Sequence, residues 1–281
     1  MIPFLKPRPL VSVCIPAYRS QDFIRETVQS ALDQTVSDIE IIISNDGGHP
    51  TPDLRPFRSH PNVRIYEQRR RQGWVRNSNL ALSKARGAFF MILPHDDLLR
   101  PTYLEECLRI LEEDDAVFGA YSDIGRDGGL MIASEVPGTV EARMIHVMQN
   151  LYNGYSYRAL MRRRPRDWAG LRLTPNPPSD FCVDTTWILQ QAALGELRKV
   201  PRPLYWKRIH DRNTHTQWRT LPGHMLAAAW RRQCLQMGKI ALRATGDAEL
   251  VAELVAHRLD PRNVAEAPAH LKALAPLGCP A

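Results

Sequence analysis

Phe89-Phe90-Met91-Ile92-Leu93-Pro94-His95-Asp96-Asp97 decides how the rest of the chain is read. Five apolar residues stopped by a proline are too few for a helix and read as a buried strand. Two adjacent carboxylates follow at its carboxyl end. In an open α/β sheet, ligands bind in the crevice beyond the carboxyl ends of the strands, so the pair stands where a metal or a phosphate would be handled. The bland alternative is that Asp96 caps the next helix and Asp97 is simply solvated.

Strand and helix patterns alternate outward from this stretch. Leu10-Val11-Ser12-Val13-Cys14-Ile15-Pro16 reads as a first buried strand, and Phe23, Ile24, Val28, Ala31 and Leu32 put one apolar face on a helix over 22–34. Ile39-Glu40-Ile41-Ile42-Ile43-Ser44 is a second strand that ends in the turn cluster Asn45-Asp46-Gly47-Gly48. A proline-rich loop over 49–62, with one helical turn near 53–57, leads to a strand over 63–67. A helix over 74–86 follows, with Gly87 as its C-cap. After the opening strand, Pro101 reads as the first residue of a helix whose buried stripe is Leu104, Cys107, Leu108 and Leu111, and 116–121 is again a strand. This is the pattern of a mostly parallel, doubly wound sheet. Beyond Gly128-Gly129 the regularity weakens. The pattern predicts a helix over 140–151, a long surface loop over 152–178, a helix over 184–193 ending near Gly195 and a strand over 203–208. Helices over 225–240, 247–257 and 264–274 follow.

Composition narrows the class. At 281 residues the chain exceeds the usual single core, and 44% apolar with 24% charged residues is ordinary for a globular protein. A net charge of +7 fits an anionic ligand, membrane surface or nucleic acid without choosing among them. Cys14, Cys107, Cys182, Cys234 and Cys279 are scattered and odd in number, which reads as reduced thiols in the cytoplasm. The first residues carry no signal-peptide pattern and no apolar run reaches bilayer length, so the expectation is a protein that is soluble or at most peripheral on a membrane.

Acids recur at strand ends and helix starts: Asp46, the Asp96/Asp97 pair and Asp184. Several carboxylates on one rim repel unless a cation offsets them, and a hard divalent metal completed by substrate phosphates is the natural occupant. No Gly-x-Gly-x-x-Gly follows the first strand and no Gly-Lys-Ser/Thr loop occurs, so phosphate would be held by metal and side chains.

Six pieces stand in order: Val13-Cys14-Ile15-Pro16-Ala17-Tyr18; Ile42-Ile43-Ser44-Asn45-Asp46-Gly47-Gly48; Gly73-Trp74-Val75-Arg76-Asn77; Asp96-Asp97; Val183-Asp184 eleven residues before Gly195; and Pro203-Leu204-Tyr205-Trp206-Lys207-Arg208-Ile209-His210. Together they resemble the signature of glycosyltransferase family 2, over Leu10 to about His215. The resemblance implies a GT-A fold: a mixed, mostly parallel α/β sheet flanked by helices, with a carboxy-terminal helical appendage. It divides the chain into a 1–215 transferase domain, with a nucleotide-binding half over 10–122 and an acceptor-binding half over 123–215, and a helical region over 216–281. It also implies inverting transfer of a hexosyl or deoxyhexosyl group from a nucleotide-diphosphate sugar to a glycan, lipid-linked or other cell-envelope acceptor, as in polysaccharide biosynthesis.

Carried over residue by residue, the resemblance implies that Pro16, Ala17 and Tyr18 line the nucleoside pocket, Asp46 accepts from the base, and Arg76 lies near base or ribose. Asp96 would hold a divalent Mn²⁺ or Mg²⁺ beside the diphosphate, helped by His95 or His210. Asp97 and Arg208 would face the diphosphate or acceptor, and Asp184 would be the general base, with Asp180 the next candidate. Three motifs depart from the pattern. Pro94 replaces the first acid of the metal motif, Val183 replaces the usual glutamate before the base, and the usual Asp-Asp-Gly-Ser appears as Asn45-Asp46-Gly47-Gly48.

Blander roles remain beside these: Asp46 as a turn former, His95 as a packed ring, and Arg69–Arg71 and Arg162–Arg164 as solvated faces. The second arginine run lies where an anionic acceptor or membrane surface would approach. Tyr152, Tyr155, Tyr157 and Trp168 could stack on a sugar or anchor the loop. The rival readings are a degenerate, non-catalytic GT-A protein that binds nucleotide or an anionic surface, a nucleotidyltransferase, and a basic module without catalysis. The third leaves the carboxylates unexplained, so nucleic acid is not the expected partner.

Overall fold

The computed structural model describes residues 8–265 apart from 48–50, 133, 151–153, 155, 165–170, 212, 214–217 and 219. Among these residues the backbone forms β1 (Val11–Ala17), α1 (Ile24–Leu32), β2 (Ile39–Asn45), β3 (Val63–Glu67), α2 (Trp74–Lys84), β4 (Phe89–Ile92), β5 (Leu98–Leu99) and α3 (Tyr103–Glu113). Next come β6 (Val117–Arg126), β7 (Gly129–Met131), α4 (Val140–Gln149), β8 (Leu160–Arg162), α5 (Val183–Leu194) and β9 (Glu196–Lys207). The helices α6 (Gly223–Thr245), α7 (Ala248–Leu259) and α8 (Pro261–Ala265) end the described chain.

The strands form one mixed sheet in the order β3-β2-β1-β4-β8-β6-β9-β5, with β7 paired to β6. The four strands on the β3 side are all parallel. β8 runs antiparallel to both β4 and β6, and β9 runs parallel to β6. The carboxyl ends of β1, β2, β4, β6 and β9 therefore share one rim.

A strand's two-residue period explains why these runs lack a polar face. Val11, Val13, Ile15 and Ala17 enter a core with the buried faces of α1 and α3, while Cys14 between them enters a second core with α2, α4, α5, α6 and α7. Ile41 and Ile43 divide from Ile42 in the same way, as do Phe89 and Met91 from Phe90 and Ile92. With both faces covered, nearly every strand position must be apolar. A third cluster, Phe181, Cys182, Trp218, Leu226, Ala229, Trp230 and Cys234, joins the start of α5 to α6.

Several expectations change. Gly87 is not a C-cap, since α2 ends at Lys84 with Ala85 as its cap. Gly87 instead lets the chain pass close to β1: a Cβ there would lie 2.7 Å from the Ser12 nitrogen and 2.7 Å from the Phe89 carbonyl oxygen. Pro101 lies in the turn before α3, which begins at Tyr103. The stretch expected to be loop contains β8, and β9 begins at Glu196 rather than at Pro203. Prolines at 201 and 203 hide that long strand in the sequence, because it tolerates them only on an exposed, irregular stretch where its register against β6 shifts. Arg162 and Arg164 are not solvated ends. Arg162 donates to the carbonyls of Val117 and Asp114, and Arg164 to those of Leu194 and Asp115, which pins the chain after β8 to its neighbours. Tyr152, Tyr155, Trp168 and most of the helix expected over 264–274 lie outside the described residues.

The rim opposite the acids is held by Glu40, a charge inside β2. Its carboxylate accepts from the Ser12 hydroxyl (2.6 Å), the Arg86 backbone N–H (2.7 Å) and Arg86 Nε and Nη2 (3.1 and 3.0 Å), and pairs closely with Arg64 Nη2. One buried carboxylate thus ties together β1, β2, β3 and the turn into β4. Because both arginines are partly exposed, water screens the pairs, and the cost of losing them is set below that of a fully buried ion pair. Glu40→Ala is expected to lower the unfolding free energy by about 2–3 kcal/mol with the denaturant slope unchanged, as measured by urea titration.

Candidate active site

After Ile92 the chain leaves β4 and closes the turn Pro94-His95-Asp96-Asp97, with the Asp97 N–H on the Pro94 carbonyl at 3.2 Å. The Thr27 hydroxyl of α1 donates to the His95 carbonyl at 2.8 Å, so the turn is fixed to a helix as well as to the sheet. The two carboxylates leave it toward different partners.

Asp96 faces the strand-end crevice. Its Oδ2 lies 2.9 Å from His210 Nε2 and accepts from Asn213 Nδ2 at 3.0 Å, while the His210 N–H donates to Asn213 Oδ1 at 2.9 Å. The His210 ring stacks on Phe23 with centroids 4.7 Å apart. Burial by itself would raise the Asp96 carboxyl, but the field of His95 and the hydrogen bond and charge of His210 outweigh it and hold the group below the usual carboxylate range. His95 is held apart, its Nδ1 3.3 Å from the Pro16 carbonyl, and burial lowers its pKa.

Asp97 is 1% exposed and fully engaged. Its Oδ2 accepts from the Tyr205 hydroxyl (2.7 Å) and Arg158 Nε (3.2 Å), and its Oδ1 accepts from the Arg208 backbone N–H (3.2 Å). Burial pushes this carboxyl up, Arg158 and the Tyr205 hydroxyl pull it down, and the Arg158 guanidinium is held above its ordinary value. Arg158 also lies over the rings of Tyr157 and Tyr205 at 4.5 and 5.4 Å. The Arg208 side chain turns the other way, with Nη2 2.5 Å from Glu26, its guanidinium 5.2 Å from the Phe23 centroid, and Nη1 buried without a hydrogen bond.

Asp46, at the end of β2, is 3% exposed and accepts from the backbone N–H groups of Gln72 (2.6 Å) and Gly73 (2.9 Å) at the entry to α2. Ala17 is buried, Pro16 and Tyr18 are half-buried, and the Arg71 guanidinium lies 4.6 Å from the Tyr18 ring. Arg76 is exposed in the first turn of α2, on the side that faces Asp180, whose carboxyl burial raises.

Asp184 stands in the first turn of α5, half-buried, with its Oδ1 3.0 Å from the Thr185 N–H. The approach to it is strained, since Ser179, Asp180 and Cys182 all adopt left-handed φ values (55°, 51° and 52°). Gly154 lies directly over the carboxylate: a Cβ on it would sit 2.8 Å from Asp184 Oδ2.

Asp96 and His210 are thus brought together, while Asp97 and the Arg208 backbone form a separate knot. The motifs did not reveal Arg158, Asn213 or the anchoring role of Tyr205. Arg158 has no local signal, because its partner is 61 positions away. Tyr205 and Lys207 were visible only as members of the last motif.

Among the described residues, no group of three or more His, Cys, Asp or Glu side chains is arranged to hold a metal ion. One carboxylate and one imidazole, Asp96 and His210, converge on the crevice. That donor set fits a cation completed by substrate phosphate oxygens and does not fit an all-protein cage.

The glycosyl transferase family 2 model matches residues 12–170, more than half of the chain. The chain is 36% identical to the chondroitin synthase of Escherichia coli over 135 residues, which is 45% of this chain and 19% of that protein. It is 36% identical to the hyaluronan synthase of Pasteurella multocida over 129 residues, 44% of this chain and 13% of that one. It therefore spans less than a fifth of the length of either. Among solved structures, S. aureus TarS 1-349 in complex with UDP-GlcNAc superposes with a TM-score of 0.66 at 13% identity, covering 94% of this chain and 83% of that one, and shows the shared GT-A fold. By its matched motifs and by the sheet that carries them, the chain belongs to glycosyl transferase family 2.

Proposed function

We propose that the chain transfers a glycosyl group from a nucleotide-diphosphate sugar to an acceptor hydroxyl, in a single displacement that inverts the anomeric centre. The observation that carries this reading is the convergence of Asp96, His210, Lys207 and Asp184 on one strand-end rim, in a family of glycosyl transferases. TarS, of the same fold, binds UDP-GlcNAc.

In this reading the nucleoside lies along Pro16, Ala17 and Tyr18. Asp46 has spare lone pairs on oxygens already aimed by two backbone N–H groups, and these accept from the base. Arg76 stands at the exposed side of the same pocket. Asp96 and His210 would hold a divalent cation, which when bound neutralises charge on the diphosphate. Asp184 takes the proton of the acceptor hydroxyl as that oxygen attacks the anomeric carbon. The bond from that carbon to the diphosphate oxygen breaks, and its electron pair leaves with the nucleoside diphosphate. Gly154 leaves room for the acceptor oxygen beside Asp184, since any side chain there would meet the carboxylate.

Asp184→Asn is expected to lower transfer by roughly 10²- to 10⁴-fold while nucleotide affinity stays within about twofold, read from initial rates and calorimetry on the same preparations. Unchanged turnover would remove Asp184 from the role and leave Asp180 as the carboxylate to test. Adding UDP with Mn²⁺ should raise the wild-type melting temperature above that with UDP in EDTA. In Asp96→Ala that difference should vanish. No nucleotide response under either condition would favour a protein that keeps the fold without the activity.

A further inference from the structure

Lys207 lies within the last motif and at the acidic rim but takes no step in the glycosyl-transfer reading, and its position is unusual. Tyr205 and Lys207 are two residues apart on β9 and so project from the same face of the strand. Tyr205 reaches Asp97 at 2.7 Å, and the N–H that follows Lys207 reaches Asp97 from the other side at 3.2 Å. The Lys207 side chain is thus directed to the acidic rim, where it feels Asp97, Asp184 and Asp96 together with Arg158. Among the described residues its ammonium makes no hydrogen bond or ion pair.

A structural counter-ion would be expected to pair, and the nearby acids already have partners. Asp97 has three donors, one of them the Arg158 guanidinium. Asp96 is held by His210 and Asn213, and Arg208 is turned to Glu26. Burial and Arg158 both press Lys207 below the usual lysine range, so an added anion beside it would be stabilised by the cation and would relieve its repulsion. The other side of the crevice adds to this. Pro94 stands where the family pattern has an acid, so relative to that pattern the rim lacks one negative charge and presents a cation that, among the described residues, forms no ion pair.

We propose that Lys207 binds the diphosphate of the nucleotide-sugar and stabilises the charge that develops on it as the glycosidic bond breaks, in place of part of the electrostatic work of a fuller metal site. The inference rests on the glycosyl-transfer reading. Lys207 then serves as a diphosphate-holding residue whose contribution does not require a bound metal, which makes it measurable without one.

The test is binding in EDTA, with UDP and uridine as probes, by calorimetry and by ligand-observed NMR, on wild type, Lys207→Met and Lys207→Arg. Lys207→Met should weaken UDP by roughly 10- to 100-fold, as expected for loss of a hydrogen bond to a charged group, and leave uridine unchanged. Lys207→Arg should recover most of the UDP affinity, and the melting temperature of Lys207→Met should be no lower than that of wild type. Equal UDP affinity in Lys207→Met and wild type would overturn the proposal, as would a parallel loss of UDP and uridine, which would mean a distorted pocket. If wild type binds neither UDP nor GDP, with or without Mn²⁺, the glycosyl-transfer reading itself fails, a result distinct from the other two.

Discussion

Asp97 is the constraint on which the rim depends. Its carboxylate is almost fully removed from water, and its three donors come from two distant parts of the chain: Arg158 before β8, and Tyr205 with the Arg208 N–H at the carboxyl end of β9. A buried carboxylate without partners would cost several kcal/mol, so the fold that buries Asp97 must bring these two segments together, and it does so just beyond the end of β4. The consequence reaches beyond Asp97. Fixing the Arg208 N–H sets the approach of the chain to His210 and Asn213, and fixing Arg158 places its Nη1 3.5 Å from the Gly154 carbonyl. One acid thereby aims the neighbours of two others, Asp96 and Asp184.

This arrangement also explains how adjacent aspartates can differ. Asp96 and Asp97 share a turn, yet one meets donors that a cation and phosphate could displace, an imidazole and an amide, and the other meets a guanidinium and a phenol inside the protein. An exchangeable shell suits ligand binding, whereas a permanent one suits architecture. The repulsion between the two is offset by placing Arg158 on the buried side, which leaves the crevice side open to substrate charge.

The parallel half of the sheet and its helices were legible because their apolar periods are local. β1, α1, β2, β3, α2, β4 and α3 each declare themselves within a dozen residues. The acids at the strand ends were legible for the same reason. What escaped the sequence was non-local. β8 is three residues long and paired on both sides by strands far away in the chain, so neither length nor alternation marks it. The first half of β9 is masked by prolines that the sheet tolerates at an irregular stretch. The resemblance implies a diphosphate or acceptor contact for Asp97, whereas its partners in the structure are Arg158, Tyr205 and the Arg208 backbone, because nothing local distinguishes a carboxylate that will find an arginine 61 positions on.

The last piece is the placement of Asp184, which local preference opposes. Three left-handed non-glycine residues in the turn before α5 cost on the order of 1–3 kcal/mol each, so the turn persists only if its surroundings hold it. The surroundings come from the carboxy-terminal helices and the segment before them. Asn176 donates to the carbonyls of Phe181 and Ala229, Gln233 donates to that of Cys182, and the Trp218 indole donates to that of Ser179. Phe181 and Cys182 are buried against Trp218, Leu226, Ala229, Trp230 and Cys234. The helices beyond β9 therefore act on the rim through the turn before α5. They stabilise the strained turn that presents the Asp184 carboxylate under Gly154, which couples their packing to the position of that carboxylate on the rim.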